Sequence, residues 1–172
     1  MDTTVPPEAA MTVSAVDPMV FASLDPPRLA GSRCANCGTV TFPVQAGCAK
    51  CTEEDMEPVE LADRGTLWTW TVQAFEPKAP YRVPEVGFTP YGVGYVDLGD
   101  VIVESRLLGD PARFEIGTPM TLTLLPLWPG PGDAQVVTYA FQPTGGDAGA
   151  VRAPRSASSA SACIRSAATT RP

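Results

Sequence analysis

Cys34-Ala-Asn-Cys37-Gly-Thr-Val-Thr-Phe-Pro-Val-Gln-Ala-Gly-Cys48-Ala-Lys-Cys51 gathers four of the chain's five cysteines into 18 residues, as two C-x-x-C pairs separated by ten. Each pair can fold back on itself and present two sulfurs about one edge of a tetrahedron apart. Two such pairs complete a four-thiolate site of the kind that holds zinc at ~2.3 Å. Gly38, directly after Cys37, suits the positive φ that turns the backbone amides toward the sulfurs. The second pair has no glycine in its turn, although Lys50 can offset part of the negative charge. Cys34, Cys37, Cys48 and Cys51 are therefore the candidate metal ligands. A closed set of four leaves no open coordination position, so the ion is expected to hold the fold and not to activate water. The same ligands suit iron, and spacing leaves that choice open. A redox C-x-x-C is expected in a βαβ setting and needs only one pair. The fifth cysteine, Cys163, lies far away and reads as a free thiol.

Downstream of this stretch the pattern becomes that of strands. Leu67 to Val72 alternates so that Trp68, Trp70 and Val72 share one face and Leu67, Thr69 and Thr71 the other. Tyr91–Leu98 and Val101–Leu108 read as a hairpin, with Gly99-Asp100 suited to a type II′ turn. Met120–Leu127 and Gln135–Phe141 supply two more strands. Five strands without a convincing helix favour a small closed barrel, and the five-stranded OB-fold is the natural candidate. The helix usual between its third and fourth strands has room for only a turn between Gly109 and Pro119. Upstream, prolines limit any helix, and a short helical turn is expected over Met19–Leu24. Glu53–Glu57 reads as a solvated loop. The expected organisation is a Pro-rich segment over 1–27, a rubredoxin-like zinc ribbon over 28–60, the barrel over 61–143 and a disordered tail over 144–172. The tail is rich in Ser, Ala, Thr and Gly and holds almost no large apolar groups to offset its ordering entropy.

Charge narrows the functions. The chain of 172 residues carries 19 acidic and 12 basic groups, for a net charge of −7. Four of the basic groups, Arg152, Arg155, Arg165 and Arg171, follow the last carboxylate, Asp147, so the body carries 8 against 19. Zinc ribbons and OB barrels often bind nucleic acid, but phosphate backbones are neutralised by Lys and Arg, which are scarce here. Trp68 and Trp70 accordingly read as packing residues in preference to base-stacking platforms. The sequence has no histidine, which removes Ser-His-Asp and Cys-His chemistry from this polypeptide. No apolar run approaches the ~18 residues of a membrane span, and a reducing, cytoplasmic setting is the simplest expectation.

The order of features then resembles a known family. Pro27-Arg28-Leu29-Ala30-Gly31-Ser32-Arg33-Cys34 leads into Cys37-Gly38-Thr39-Val40-Thr41-Phe42-Pro43. Gly65-Thr66-Leu67-Trp68-Thr69-Trp70-Thr71, Pro90-Tyr91-Gly92-Val93-Gly94-Tyr95-Val96 and Ile116-Gly117-Thr118-Pro119-Met120 follow in turn. This pattern, spanning roughly residues 27–143, is similar to the zinc-ribbon OB-fold family, long catalogued as a domain of unknown function, that accompanies thiolase-superfamily enzymes. The resemblance implies a non-catalytic accessory subunit. Its partner would be a thiolase-like acyltransferase or thiolase, or a lipid-transfer-protein-like aldolase acting on steroid side-chain CoA thioesters. That partner would supply the catalytic residues. Ala49 stands where the family usually has proline, and the N-terminal helix common in the family is hard to see. Within this reading the Ala74–Pro90 connection carries Phe75, Lys78, Tyr81, Arg82 and Phe88 on a proline-stiffened segment, where OB-folds often bind ligands. Lys78 and Arg82 could meet CoA phosphates, Tyr81 could lie beside the adenine or the partner, and Trp128 could join the same surface. Packing of this loop on its own barrel is the plainer alternative. A free-standing acyl-CoA-binding module and a nucleic-acid-binding protein are the competing functions.

Overall fold

The computed structural model describes residues 12–79, 87–131 and 134–145. These residues form ten strands and two single 3-10 turns. Strands β1 (Val13–Ala15), β2 (Phe21–Leu24), β3 (Pro27–Cys34), β4 (Val40–Thr41) and β5 (Met56–Glu60) precede the barrel. Its walls are β6 (Arg64–Gln73), β7 (Tyr91–Asp97), β8 (Ile102–Leu107), β9 (Pro119–Pro129) and β10 (Gln135–Pro143). The five barrel strands expected from sequence are thus present, with ends shifted by a few residues.

Antiparallel pairing joins β6 to β7, β7 to β8 and β9 to β10. A short parallel contact of β10 with β8, at Ala140 and Phe141, and a pairing of β6 with β9 close the ring. Closure removes the free edges that an open sheet would expose. The first half of β10 diverges from β8, and there β1 lies parallel to it through Val13, Ser14 and Ala15. The β7–β8 connection is the expected two-residue turn: Leu98 N–H donates to the Val101 carbonyl at 3.0 Å, with Gly99 at φ 93° and Asp100 outside the positive region.

Two glycines of β7 make the interior fit. A Cβ on Gly94 would stand 2.6 Å from the Thr69 carbonyl oxygen and 2.8 Å from Leu107 Cδ1, and one on Gly92 would meet the Phe114 ring at 2.7 Å. The Tyr-Gly-Val-Gly-Tyr spacing therefore clears room inside while leaving Tyr91, Val93 and Tyr95 on the outer face. Gly94→Ala is expected to cost about 1–3 kcal/mol, because the obstructing Thr69 carbonyl is backbone and cannot rotate away. Urea denaturation would read this as a lower midpoint at unchanged slope.

In place of the helix between the third and fourth barrel strands, one 3-10 turn, Pro111–Arg113, is capped by Asp110, whose side chain accepts from Ala112 N–H at 3.0 Å. The next residue, Phe114, is buried and meets Trp70 edge to face at 5.6 Å, filling the end of the barrel.

Three local expectations are corrected. Residues 19–24 are not a helical turn: a 3-10 turn covers Pro18–Val20, and Phe21–Leu24 is a strand paired with β3. Glu53–Glu57 is loop only as far as Asp55, because Met56 starts β5, which pairs with β3 from Ala30 to Cys34. Its glutamates and Pro58 suit an edge strand, which local charge disguised as loop. Finally, Trp68 and Trp70 do not share a face. A bulge sets Leu67 and Trp68 together opposite Val96, so Leu67 is fully buried and Trp70 half-buried on the core, while Trp68 turns outward, 55% exposed. An extra residue in one strand resets the period-2 pattern, which no alternation rule reveals.

The β1–β5 region is not a separate bead. Leu29, Val40 and Leu61 belong to the same buried cluster as Leu67, Val96, Val103 and Phe141. Tyr139 of β10 reinforces this junction. Phe42 and Phe21 meet its ring edge-on at 5.5 and 6.3 Å, and its hydroxyl donates to the Glu104 carbonyl at 3.2 Å where β8 and β10 part. Arg33 on β3 adds an ion pair with Asp100 in the β7–β8 turn at 2.6 Å.

Candidate metal centre

Two turns carry the cysteines. Cys34 ends β3 and Cys37 follows in the next turn, while Cys48 and Cys51 lie in the loop between β4 and β5. The two halves repeat one another. Gly38 N–H donates to the Cys34 carbonyl at 2.9 Å, and Thr52 N–H to the Cys48 carbonyl at 2.9 Å. Cys34 N–H reaches the Thr39 carbonyl at 2.9 Å, and Cys48 N–H the Glu53 carbonyl at 2.8 Å. Each turn thus closes with the residue after its second cysteine in the left-handed region, Gly38 at φ 72° and Thr52 at φ 65°.

That pairing supplies what the sequence lacked in the second turn. A β-branched residue at positive φ is strained, and Thr52 is the one non-glycine residue so placed among the described residues. Replacing it by glycine relieves the strain at the loss of its side-chain bond to the Cys51 carbonyl, 2.6 Å. Thr52→Gly is expected to stabilise the metal-loaded chain by up to about 1 kcal/mol. A higher melting temperature, together with slower metal loss to a chelator, checks it.

The four sulfurs lie within 4.8 Å of one another, with Cys34–Cys51 and Cys37–Cys48 each separated by 3.5 Å. These gaps exceed an S–S bond of about 2.05 Å and are close to the ~3.8 Å edge of a tetrahedron with 2.3 Å metal–sulfur bonds. Cys34 and Cys48 are buried, and Cys37 and Cys51 half-buried. The set fits one tetrahedral ion.

Local donors already favour thiolates. The Thr39 hydroxyl, 3.2 Å from Cys37 Sγ, and the Thr39 backbone N–H bring the Cys37 thiol down to about 6. Backbone N–H groups of Cys51 and Lys50 lower Cys48, the latter at 3.4 Å from its sulfur. Lys50 thus serves the site through its main chain. Cys34 also accepts from the Cys37 N–H, which lowers it, but burial and the hydrogen bond with Cys51 outweigh this and push it up to about 11. Four crowded thiols cannot all ionise unaided, and a dication among them reverses that preference.

The proposed loop surface is less gathered. Phe75 is 74% exposed and Lys78 is exposed, both beyond the end of β6. Phe88 meets Tyr91 at 6.1 Å, and Arg106 lies over the Tyr91 ring at 3.9 Å. Trp128 stands near the end of β9, opposite Val136. Tyr81, Arg82, Cys163 and the tail from 146 onward lie outside the described residues. Sequence reasoning missed Thr39 and Thr52, whose roles depend on backbone direction, and Tyr139 and Asp100, whose partners are distant in the chain.

Residues 21–57 match the ChsH2 rubredoxin-like zinc ribbon domain, and residues 58–125 match the ChsH2 C-terminal OB-fold domain. The chain belongs to the ChsH2 family. Among its relatives, the benzoylsuccinyl-CoA thiolase subunit BbsA of Thauera aromatica is 30% identical over 117 residues, covering 67% of this chain and 76% of BbsA. The subunit of the same name from Geobacter metallireducens is 28% identical over 118 residues, covering 67% and 75%. Among solved structures, the Ltp2-ChsH2(DUF35) aldolase superposes with a TM-score of 0.52 at 29% identity, covering 67% of this chain and 84% of that one. Relatives of this chain are thus named as thiolase subunits, and a similar solved structure as an Ltp2-ChsH2 aldolase, the setting that the family resemblance implied. Among the described residues no helix is long and apolar enough to cross a membrane.

Proposed function

We propose that this chain is a zinc-binding accessory subunit that binds and stabilises a thiolase-like enzyme acting on acyl-CoA. The substrate class would be a lipid or steroid side-chain thioester or a β-ketoacyl-CoA. The observation that carries the reading is the match of both modules to the ChsH2 family, whose relatives are named as thiolase and aldolase subunits. Two features of the chain support it. It has no histidine to serve as a general base, and an ion held by all four clustered cysteines would have no coordination position left for substrate. Zinc is the metal proposed, since four thiolates and no other ligand type suit it. Its part is structural: it fixes the β3–β5 turns against the barrel core.

In this reading the catalytic residues belong to the partner. Lys78 and Phe75, with Arg82 and Tyr81 of the same connection, are proposed to border the acyl-CoA where the subunits meet. Co-expression with a thiolase-superfamily enzyme from a neighbouring reading frame is expected to give a hetero-oligomer that survives dilution to micromolar concentration and a higher soluble yield of the enzyme. Independent elution of the two proteins at that concentration would defeat the proposal.

A further inference from the structure

The bulge at Trp68 places a large aromatic on the outside of the barrel, and what surrounds it there is not random. Trp68 meets Tyr95 edge to face at 6.2 Å. Tyr95, Val93 and Tyr91 follow one another at every second position of β7, on the face turned away from the core, and Phe88 extends the row beyond Tyr91. Ile102 on β8 shares this face, opposite Asp97. The exposed end of the row is apolar: Trp68 is 55%, Tyr95 41% and Ile102 42% exposed. Barrel stability does not require this, since Leu67 and Trp70 already supply the core side of β6. A tryptophan expelled by an extra residue, beside a tyrosine and an isoleucine, has the composition of an interface centre.

The charges around the row say what can cover it. Glu104 accepts from the Tyr95 hydroxyl at 3.2 Å, Asp97 lies beside Ile102, and Asp100 occupies the adjoining turn. Of the nearby cations, Arg33 is paired with Asp100 at 2.6 Å and Arg106 is stacked on Tyr91 at 3.9 Å. Arg64 stands at the start of β6, two residues before the Thr66 that pairs with Asp97, so that Glu104 and Asp97 are closer to the apolar centre than it is. The chain as a whole has 19 acidic groups against 12 basic. A second copy would bring the same carboxylates against themselves, and a phosphate backbone would meet an acidic rim. Both are disfavoured. The complementary occupant is a protein surface with an apolar centre and a rim of Lys or Arg.

We infer that the outer β6–β7–β8 face, centred on Trp68 and Tyr95, is the docking surface for the partner enzyme, which meets it with an apolar patch ringed by basic side chains. The inference rests on the accessory-subunit reading and adds to it a location and a partner chemistry. Trp68 and Tyr95 anchor the contact, and Glu104 steers it.

The test uses the full chain and the co-purified thiolase-superfamily enzyme, with affinity measured by titration. Trp68→Ala and Tyr95→Ala are each expected to weaken binding at least about tenfold. Glu104→Lys should slow association at low salt and much less at high salt. Met19→Ala, at a still more exposed apolar residue on the Pro18–Val20 turn, should change affinity less than about twofold. Metal content and melting temperature, unchanged in all four variants, show that the fold is intact. If the unaltered chain binds the enzyme and the Trp68, Tyr95 and Glu104 variants bind as well, this face is not the dock, though the accessory reading stands. If the unaltered chain does not bind, both fall. Loss of self-association, or of retention on single-stranded DNA, in Trp68→Ala without a change in enzyme binding would assign the face to another occupant and overturn the inference.

Discussion

Cys51→Ser is expected to strip the chain of its metal and unfold the turns that β3 and β5 hold together. Serine keeps the volume but replaces a thiolate with a neutral, harder oxygen, leaving three sulfurs for an ion that needs four. Structural zinc contributes on the order of 10 kcal/mol of apparent binding energy in isolated zinc-finger peptides, and most of that is coupled to folding. Here Leu29, Val40 and Leu61 join the barrel core, so the loss does not stay local. A destabilisation of at least about 5 kcal/mol and a melting temperature lower by on the order of 10–20 °C are expected. Elemental analysis and calorimetry check both. Acid should act in the same direction on the unaltered chain. The ligands bind as thiolates, so protons compete with the ion, and metal release is expected as the pH falls below neutrality. A metal-free variant that melts at the original temperature would remove the structural role.

Phe141→Ala should produce the second large effect, about 3–5 kcal/mol. Its side chain is fully buried, and its strand is where the barrel closes: Phe141 pairs with Leu122 on β9 and with Leu107 on β8, and its carbonyl accepts from Leu108 N–H at 2.8 Å. Truncation leaves a cavity beside the seam that holds β8 and β10 parallel. A domain with total stability of roughly 5–15 kcal/mol loses much of it by that one change. Trp68→Ala removes a larger side chain from the surface and should move stability by less than about 0.5 kcal/mol. Denaturation of the two variants in parallel separates core from surface, and equal losses would contradict the position of the bulge.

The barrel was legible because its strands state themselves locally: alternation in Leu67–Val72, a glycine turn at Gly99 and β-rich runs on either side. That the four cysteines would gather at one point was legible from spacing alone. What failed to show depends on partners far apart in sequence. β5 carries glutamates and a proline and becomes a strand only because β3 offers it an edge. The outward turn of Trp68 follows from one extra residue opposite Val96. Thr52 takes a glycine-like conformation because the second cysteine turn repeats the geometry of the first, a symmetry of backbone and not of residue type. The ring of Tyr139 between Phe21 and Phe42 joins residues about a hundred positions apart.

Native mass spectrometry of the chain co-expressed with its candidate thiolase-superfamily enzyme tests the central claim most directly, because it weighs metal and partner in one spectrum. The expected result is a hetero-oligomer in which each copy of this chain carries one ion of zinc mass. A chain that flies alone, or one bound to the enzyme with its four cysteines free of metal, would contradict the account.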